Sequence, residues 1–201
     1  MPRLLRTISS NLAAFPRIAL DPKGHRQAAV AIVLAPRWGR LNFLLTRRAL
    51  TLRRNAGNYA RPGGHFDPGE DAIEAARRET AEELGVTVGR EHTLGQLDDF
   101  ITLGGHVVTP VVFYVPRRLR LAPNPDEVHQ AWHVPVAHLN RSGSPRPEPH
   151  PDGGPPILRM YARGGWLNPP TAAWLYQFRE VALHGRPTRV DTVGQPNWTA
   201  V

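Results

Sequence analysis

The stretch Gly64-His-Phe-Asp-Pro-Gly-Glu70, followed after seven residues by Arg78-Glu-Thr-Ala-Glu-Glu-Leu-Gly-Val86, is the most informative part of this sequence. On a helix with about 100° between residues, Glu79, Glu82 and Glu83 fall within an arc of roughly 100°. Like charges one helical turn apart repel each other, so this cluster destabilises the helix unless a multivalent cation lies between the carboxylates. Ligands that are all oxygen favour Mg²⁺ or Mn²⁺.

The packing of the same helix can be predicted from its apolar positions. A stripe spaced i, i+3, i+7 and i+11 marks the core-facing side: Ile73, Ala76, Thr80 and Leu84. Arg78 lies one turn from both Glu74 and Glu82, so we expect it to pair with both. The helix is predicted from about residue 68 to 84, with Gly85 as its stop.

Taken together, the spacing and residue types resemble the Nudix box, G-x5-E-x7-R-E-U-x-E-E-x-G-U, where U is aliphatic. The chain matches this pattern except that Thr80 occupies the first U. Taken singly, an acidic helix face is commonly solvated and a glycine pair is commonly a turn. The resemblance implies an α/β Nudix fold, an α/β/α sandwich with a mixed β-sheet and the Nudix loop-helix. It also implies a set of metal ligands: the Gly63 carbonyl, Glu79, Glu82 and Glu83.

A narrower resemblance, to the coenzyme A pyrophosphatases of the Nudix superfamily, extends over roughly residues 28 to 183. The segments that carry it are Leu44-Leu-Thr-Arg-Arg-Ala49, Leu52-Arg53, Gly57, Pro62-Gly-Gly64, Leu97-Asp-Asp99, Val108-Thr-Pro-Val-Val112, Asn124-Pro-Asp-Glu-Val128 and Trp132-His-Val-Pro-Val136. That family usually has a histidine where Asn55 stands and an aromatic residue where Arg61 stands. The resemblance implies cleavage of coenzyme A to 4′-phosphopantetheine and adenosine 3′,5′-bisphosphate, which requires a basic pocket for the 3′-phosphate.

Two other functions remain open. The first is a Nudix hydrolase for ADP-ribose, dinucleotides or nucleoside triphosphates, whose activity would not depend on a 3′-phosphate. The second is a non-catalytic Nudix-fold sensor or binding protein. The box carboxylates whose loss marks such proteins are all present in this sequence.

The formal net charge of +8 favours a polyanionic partner. Arginines crowd the segment before the box, and guanidinium groups bind phosphates bidentately. The predicted substrate-binding residues are Arg47, Arg48, Arg53, Arg61 and Gly64. Few aromatic residues lie among these arginines, which argues against a stacking platform for single-stranded nucleic acid. A small nucleotide diphosphate is therefore the expected partner.

The chemistry expected is attack of water on one phosphorus, with the metal ion activating the water and arginines stabilising the developing charge. The catalytic candidates are Arg78, Glu79, Glu83 and Glu127. The general base is not assigned to one residue. Glu79 and Glu83 are candidates within the box, and Glu127 and Asp152 are candidates from later segments. Glu70 is expected to support the helix or an outer-sphere water.

Length and composition favour one enzyme domain over residues 1–201, with a core at about 28–183 and a tail at 186–201. No hydrophobic run approaches the length of a membrane span. The chain has no cysteine, which excludes disulfides, thiolate nucleophiles and cysteine-zinc sites. No long hydrophobic signal region is seen at the start, so a cytoplasmic location is expected. The family resemblance implies a homodimer.

Outside the box, short aliphatic runs predict strands at 28–34, 42–46, 94–101, 107–115, 127–134 and 157–161. Helices are predicted at 136–139 and 170–184, and near the N-terminus. Pro110 has no backbone N–H, so we expect an edge, a bulge or a break there. Residues 141–156 are rich in Pro, Gly and Ser, which predicts an ordered loop or a mobile lid. Trp198 is expected to anchor the tail to the body or to a second subunit.

Overall fold

The computed structural model describes residues 2–200, so Met1 and Val201 of the predicted domain lie outside it. The α-helices of this part of the chain are α1 Pro2–Ala14, α2 Ala72–Leu84 and α3 Thr171–Phe178. The strands are β1 Arg26–Arg37, β2 Arg40–Arg48, β3 Tyr59–Ala60, β4 Gly63–His65, β5 Thr93–Gln96, β6 Phe100–Ile101, β7 His106–Tyr114, β8 Val128–Pro135, β9 Arg146–Glu148, β10 Ile157–Ala162 and β11 Gly165–Leu167. None of these helices is long and apolar enough to cross a membrane.

The main sheet is mixed, with strand order β3-β2-β1-β7-β5. Strands β1 and β7 pair in parallel from Arg26–His106 to Leu34–Tyr114, and β1 and β2 form an antiparallel hairpin. Strand β4 also pairs with β1, β6 with β7, and β8 with β2. A second sheet has the order β11-β10-β9. This arrangement confirms the predicted α/β class with a mixed sheet.

Alternate residues of β1 enter two hydrophobic cores, one on each face of the sheet. Ile32 and Leu34 pack in the core that includes residues of α1 and α3, whereas Ala31 and Val33 pack with α2. Successive side chains of a strand point to opposite faces, so a strand buried on both faces reads as a continuous apolar run. The helices on the two faces give the predicted α/β/α layering.

Helix α2 begins and ends at residues that cap it. Asp71 accepts a hydrogen bond from Glu74 N, and the Glu74 side chain accepts one from Asp71 N, so the two form a capping box. At the other end Gly85 adopts φ +64° and donates its N–H to Ala81 O. The predicted start at residue 68 was too early because the segment before Asp71 is a turn that precedes the cap.

Pro110 lies in β7, a central strand, so the expectation of an edge position was wrong. The predicted strand 94–101 is instead divided into β5 and β6, which both pair with β7. The Pro110 carbonyl accepts a hydrogen bond from Leu97 N, between these two strands. Because the N–H and C=O of a strand residue point to the same side, the missing donor of Pro110 faces the interruption.

The later predicted elements are present with changed details. The strands predicted at 127–134 and 157–161 are β8 and β10, and residues 136–140 form the predicted short helix as a 3₁₀ turn. The predicted helix 170–184 is α3 continued by a π-helical turn at Arg179–Leu183. The proline-rich segment contributes β9 to the second sheet, so part of the predicted loop is strand.

A buried carboxylate joins the two ends of the chain to the sheet. Asp98 accepts hydrogen bonds from Ile18 N at 2.7 Å, from Gln177 Nε2 at 2.7 Å and from Arg189 Nη1 at 2.7 and 2.9 Å. Its side chain is 7% exposed. Charge-assisted hydrogen bonds of this kind are stronger than neutral ones. Asp98 therefore fixes α3 and the C-terminal segment against the core.

We expect Asp98→Asn to destabilise the protein without touching the functional site. The amide keeps the volume but loses the charge and one acceptor, so the free energy of unfolding should fall by roughly 2 kcal/mol. For a chain of this size that lowers Tm by about 4–8 °C, measurable by differential scanning fluorimetry. The matched control is Asp21→Asn, which removes an exposed carboxylate and should leave Tm unchanged. Equal Tm values for both variants would contradict the assigned role.

Candidate functional site

Arg78 on α2 organises the carboxylates around the box. Its guanidinium contacts four of them at 2.8–3.3 Å: Asp67, Glu70, Glu79 and Glu82. Nη2 also donates to the carbonyl of His65 at 2.7 Å, which ties the preceding loop to the helix. The hydrogen bonds that Arg78 donates to Glu70 and Glu79 raise its pKa above the usual value. Arg78 therefore positions the acidic side chains and holds Glu70 in the supporting role expected for it.

The expected pair between Arg78 and Glu82 is present, but the expected pair between Arg78 and Glu74 was wrong. Glu74 takes part in the capping box and lies 3.4 Å from Arg90 Nη1. Arg90 also contacts Asp71, so the helix start has its own cation. The spacing of four residues allows an Arg78–Glu74 pair. Glu74 instead accepts the hydrogen bond from Asp71 N and lies beside Arg90.

Glu83 is a buried carboxyl beside strand β4. It is 6% exposed and accepts a hydrogen bond from Gly63 N at 3.2 Å. Burial, helped by the charges of Glu79 and Glu127 and opposed by the Gly63 N–H, raises the pKa of Glu83 to about 8. Burial also raises the pKa of Glu79, despite its hydrogen bond from Arg78. Glu79, Glu83 and Glu127 therefore lie close enough for their charges to interact.

The two glycines of β4 allow close contact with the sheet and the helix. A Cβ on Gly63 would lie 2.4 Å from Ala29 O, and a Cβ on Gly64 would lie 2.1 Å from Glu79 Oε1. Real Cβ atoms do not come this close to other heavy atoms. Gly64 therefore makes room for the Glu79 carboxylate, which stands against the backbone of β4.

Gly64→Ala should displace Glu79 and lower hydrolytic activity by about tenfold, because small errors in the position of a catalytic group are costly. The measurement is kcat with the best substrate found. Gly154→Ala is the control, since a Cβ there meets nothing nearer than 3.5 Å and should leave kcat unchanged. Wild-type kcat in Gly64→Ala would show that the position of Glu79 does not matter.

The predicted metal ligands are only partly brought together. Glu79 and Glu83 both contact or approach β4, whereas the Glu82 side chain is 53% exposed and turned to Arg78. Within residues 2–200, no group of three His, Asp or Glu side chains is arranged to hold a metal ion. The donor chemistry nevertheless fits a hard divalent cation. Glu83 is a buried carboxyl with other carboxylates nearby, and a cation is the partner that such an oxygen set lacks.

A cavity of about 460 Å³ reaches this cluster at Gly63. One wall comes from the sheet and the segment before the box: Val30, Arg48, Arg54, Asn55, Gly57, Asn58, Tyr59, Ala60, Arg61 and Gly63. A second comes from the turn before β7 and its first residue: Thr102, Gly104 and His106. The third comes from the C-terminal part: Trp166, Asn168, Pro169, Pro170, Thr171, Trp174, Gln195, Trp198 and Thr199. The volume suits a nucleotide-sized ligand.

Of the predicted substrate-binding residues, Arg48 and Arg61 line the cavity. Arg47 instead donates from Nε to Gly57 O at 2.8 Å, and Arg53 is exposed outside the cavity wall. Gly64 is likewise outside the cavity wall and borders Glu79. Neighbouring residues of a strand point to opposite sides, which explains why Arg48 enters the cavity and Arg47 does not.

Arg61 is a buried cation without an anionic partner among the described residues. It is 3% exposed, stands 4.6 Å above the Phe43 ring and donates from Nη1 to the carbonyl of Leu44. Its Nε and Nη2 atoms are buried with no hydrogen-bond acceptor. Burial lowers the pKa of Arg61 to about 9. Such a group is costly to the fold unless an anion binds it.

Sequence reasoning missed His106 and the whole C-terminal wall. His106 lines the cavity, and its ring is tilted by 43° against that of His65 with centroids 4.8 Å apart. Burial lowers the pKa of His106, and the positive neighbours His65, Arg26 and Arg54 lower it further. The only hint of this wall in the sequence was Trp198, which had been predicted to anchor the tail.

Comparison with known proteins identifies the family. The model described as NUDIX domain matches residues 24–159. The protein named Uncharacterized Nudix hydrolase NudL from Photorhabdus laumondii is 38% identical over 123 residues, covering 61% of this chain and 64% of that protein. Nudix hydrolase 3 from Caenorhabditis elegans is 35% identical over 142 residues, covering 68% of this chain and 59% of that protein. The matches thus span somewhat less than two thirds of these relatives.

A solved structure shows the same fold at low sequence identity. The MutT/nudix family protein from Enterococcus faecalis superposes with a TM-score of 0.51 and 18% identity, covering 72% of this chain and 51% of that chain. The match to the family model covers more than half of the sequence and includes the box, β4 and α2. The chain therefore belongs to the Nudix family.

Proposed function

We propose that this protein is a metal-dependent pyrophosphohydrolase that cleaves the diphosphate of coenzyme A or a derivative of it, releasing 4′-phosphopantetheine and adenosine 3′,5′-bisphosphate. One observation carries the proposal: buried box carboxylates meet an arginine-lined cavity of nucleotide size at Gly63. Carboxylates suit a divalent cation and arginines suit phosphates, so a diphosphate is the group that both can bind.

The residues that would hold Mg²⁺ or Mn²⁺ are Gly63, Glu79, Glu82 and Glu83. When bound, the ion would neutralise phosphate charge and activate water. Arg78 restrains Glu79 and Glu82, and Gly63 N–H restrains Glu83, so these contacts orient the carboxylates before the substrate arrives. This orientation is the contribution of the chain to positioning the diphosphate.

Two arginines are placed to bind the phosphates. Arg48 and Arg61 line the cavity beside Gly63, and each has a buried guanidinium nitrogen without a partner. Charge spreads over the non-bridging oxygens as the phosphorus is attacked, and donors already in place stabilise that charge. The bond from phosphorus to the bridging oxygen then breaks, and the two products separate.

Glu127 is the best candidate for the general base. Glu79 is paired with Arg78 and Glu83 accepts from Gly63 N, so each has an oxygen already engaged. Glu127 is exposed and close enough for its charge to raise the pKa of both Glu79 and Glu83. A carboxylate with free lone pairs can take the proton from the attacking water. Asp152 is bound to Asn197 in a different loop and is a weaker candidate.

The choice of coenzyme A is supported by the sequence segments before and after the box and by the basic residues of the cavity. Arg54 and His106 line it in addition to the two phosphate-binding arginines. Arg54 provides the positive charge that a third phosphate, the 3′-phosphate of coenzyme A, would need. A homodimer and a cytoplasmic location stay predictions.

The test is to incubate the protein with coenzyme A, dephospho-coenzyme A, ADP-ribose and NADH, each with Mg²⁺ or Mn²⁺, and to identify products by mass. We expect adenosine 3′,5′-bisphosphate from coenzyme A, with dephospho-coenzyme A cleaved more slowly. A preference for ADP-ribose or NADH would assign the enzyme to another Nudix substrate class and make Asn55 and Arg61 marks of changed specificity. Absence of turnover across the panel would favour the binding or sensor function.

A further inference from the structure

The C-terminal part of the chain supplies an aromatic wall to the cavity. Three of the five tryptophans of the sequence line it: Trp166, Trp174 and Trp198. All three lie beyond residues 24–159, the segment that matches the family model. This wall therefore lies outside the segment that matches the family model.

The tail that carries Trp198 is fixed to the body by hydrogen bonds of the Gln195 side chain and of the tail backbone. Gln195 donates to Ile101 O at 2.9 Å and accepts from Leu103 N at 3.1 Å. Gly194 N donates to Pro156 O at 3.0 Å, and the Gln195 carbonyl is 3.1 Å from the ring nitrogen of His150. Gln195 thus holds the tail on the body, and the anchoring role of Trp198 stays a prediction.

The tryptophans differ in how they are held. Trp174 is 5% exposed and meets Phe100 edge-on with centroids 6.2 Å apart, and Trp166 meets Tyr161 edge-on at 5.5 Å. Trp198 is 45% exposed. Two indoles are therefore immobilised by aromatic contacts, whereas the third has an accessible face on the cavity.

Unpartnered polar atoms concentrate around this cavity. Among the described side chains, eight buried nitrogen or oxygen atoms lack a hydrogen-bond partner, and five belong to cavity residues: Arg48 Nε, Arg61 Nε, Arg61 Nη2, Asn168 Oδ1 and Trp174 Nε1. The arginine atoms suit phosphate oxygens. Asn168 Oδ1 needs a donor, which a phosphate dianion cannot offer, and Trp174 Nε1 needs an acceptor. A heteroaromatic base has both on its edge and a flat face for stacking.

We propose that Trp198, with Trp166, Trp174 and Asn168, forms a subsite for the nucleobase of the substrate. The proposal rests on the proposed function, because the base is the group carried beside the diphosphate that Arg48 and Arg61 bind. Stacking on the exposed Trp198 supplies the affinity, and Trp166, Trp174 and Asn168 complete the cavity wall beside it. The C-terminal segment therefore determines which nucleotide is accepted.

The experiment compares binding of AMP and of ribose 5-phosphate, which differ only in the base and contain no anhydride to cleave. Isothermal titration is performed with the full chain in Mg²⁺ for wild type, Trp198→Ala and Trp198→Phe. Trp38→Ala is the control, since Trp38 is 70% exposed in the β1–β2 turn and outside the cavity wall. The Tm of each variant verifies folding.

Wild type should bind AMP more tightly than ribose 5-phosphate. Trp198→Ala should weaken AMP binding by about tenfold or more and leave ribose 5-phosphate unchanged, while Trp198→Phe retains most of the affinity. Equal binding of both probes by wild type, equal loss of both in Trp198→Ala, or unchanged AMP binding would each overturn the subsite. Because binding is read without turnover, base-dependent AMP binding by a protein that cleaves no diphosphate would refute the proposed function alone.

Discussion

Replacing Glu83 with glutamine should reduce hydrolysis by roughly a thousandfold while leaving the metal-free protein at least as stable as the wild type. Glu83 is buried against β4, and burial raises its pKa to about 8. At pH 7 the unfolded chain ionises this carboxyl readily and the folded protein does not, so ionisation favours unfolding. Glutamine does not ionise, so this loss of stability disappears, and its side-chain oxygen can still accept the hydrogen bond from Gly63 N.

The measurement pairs kcat with Tm, each with and without Mn²⁺. A ligand that binds only the folded state raises Tm by mass action. Wild-type Tm should therefore rise with Mn²⁺, whereas that of Glu83→Gln should not. The combination of lost turnover, unchanged or higher metal-free Tm and lost response to Mn²⁺ separates a ligand role from a structural one.

Glu91→Gln is the matched control, because the Glu91 side chain is 75% exposed and lies outside the carboxylate cluster. It should retain wild-type kcat and the response to Mn²⁺. A Glu83→Gln protein that hydrolyses its substrate at the wild-type rate would remove Glu83 from the site. A lower metal-free Tm would instead show that the carboxylate stabilises the fold.

Sequence spacing predicted the loop-helix because its determinants are local. The glycines, Arg78 and the glutamates occupy one short segment, and helix geometry alone puts the glutamates on one side. Competition for partners was less predictable. Arg78 contacts four carboxylates, including the exposed Glu82, and Glu74 takes part in the helix cap instead. Spacing specifies which pairs are possible, and the other neighbours decide which form.

The sequence predicted only the cavity wall that is formed by the segment before the box. Arg48 and Arg61 were selected by their nearness to the glycines in the sequence, and strand alternation would have separated Arg48 from Arg47. The third wall depends on contacts between distant segments, such as Gln195 with Ile101 and Leu103. No local periodicity encodes such contacts, so Trp198 was noticed as an anchor and its place in the cavity was missed.

Arg61→Met should raise stability and at the same time lower kcat/KM for the diphosphate substrate by about a hundredfold. In the folded protein Arg61 is buried with two unpartnered nitrogens, and burial lowers its pKa to about 9. Since this pKa lies below the unfolded value, the penalty is fully present below about pH 9 and decreases as the pH rises above it. Methionine has a similar length and no charge, and its sulfur can contact the Phe43 ring.

Removing an unpaired buried charge is worth about 1–4 kcal/mol, which corresponds to a Tm increase of roughly 2–16 °C for a chain of this size. Differential scanning fluorimetry at pH 7 and steady-state kinetics measure the two effects. Arg53→Met is the control, because Arg53 lies in the same segment but is exposed and outside the cavity wall. It should change neither Tm nor kcat/KM.

The two effects together distinguish a binding residue from a packing residue. If Arg61 served the fold through its hydrogen bond to the Leu44 carbonyl and its stacking on Phe43, Arg61→Met would lower Tm and leave kcat/KM unchanged. The coenzyme A pyrophosphatases that the chain resembles usually have an aromatic residue here, so the fold accepts an uncharged side chain at this position. A cation kept where an apolar group would be more stable is best explained by an anion that binds to it, and the diphosphate of the proposed substrate would be that anion.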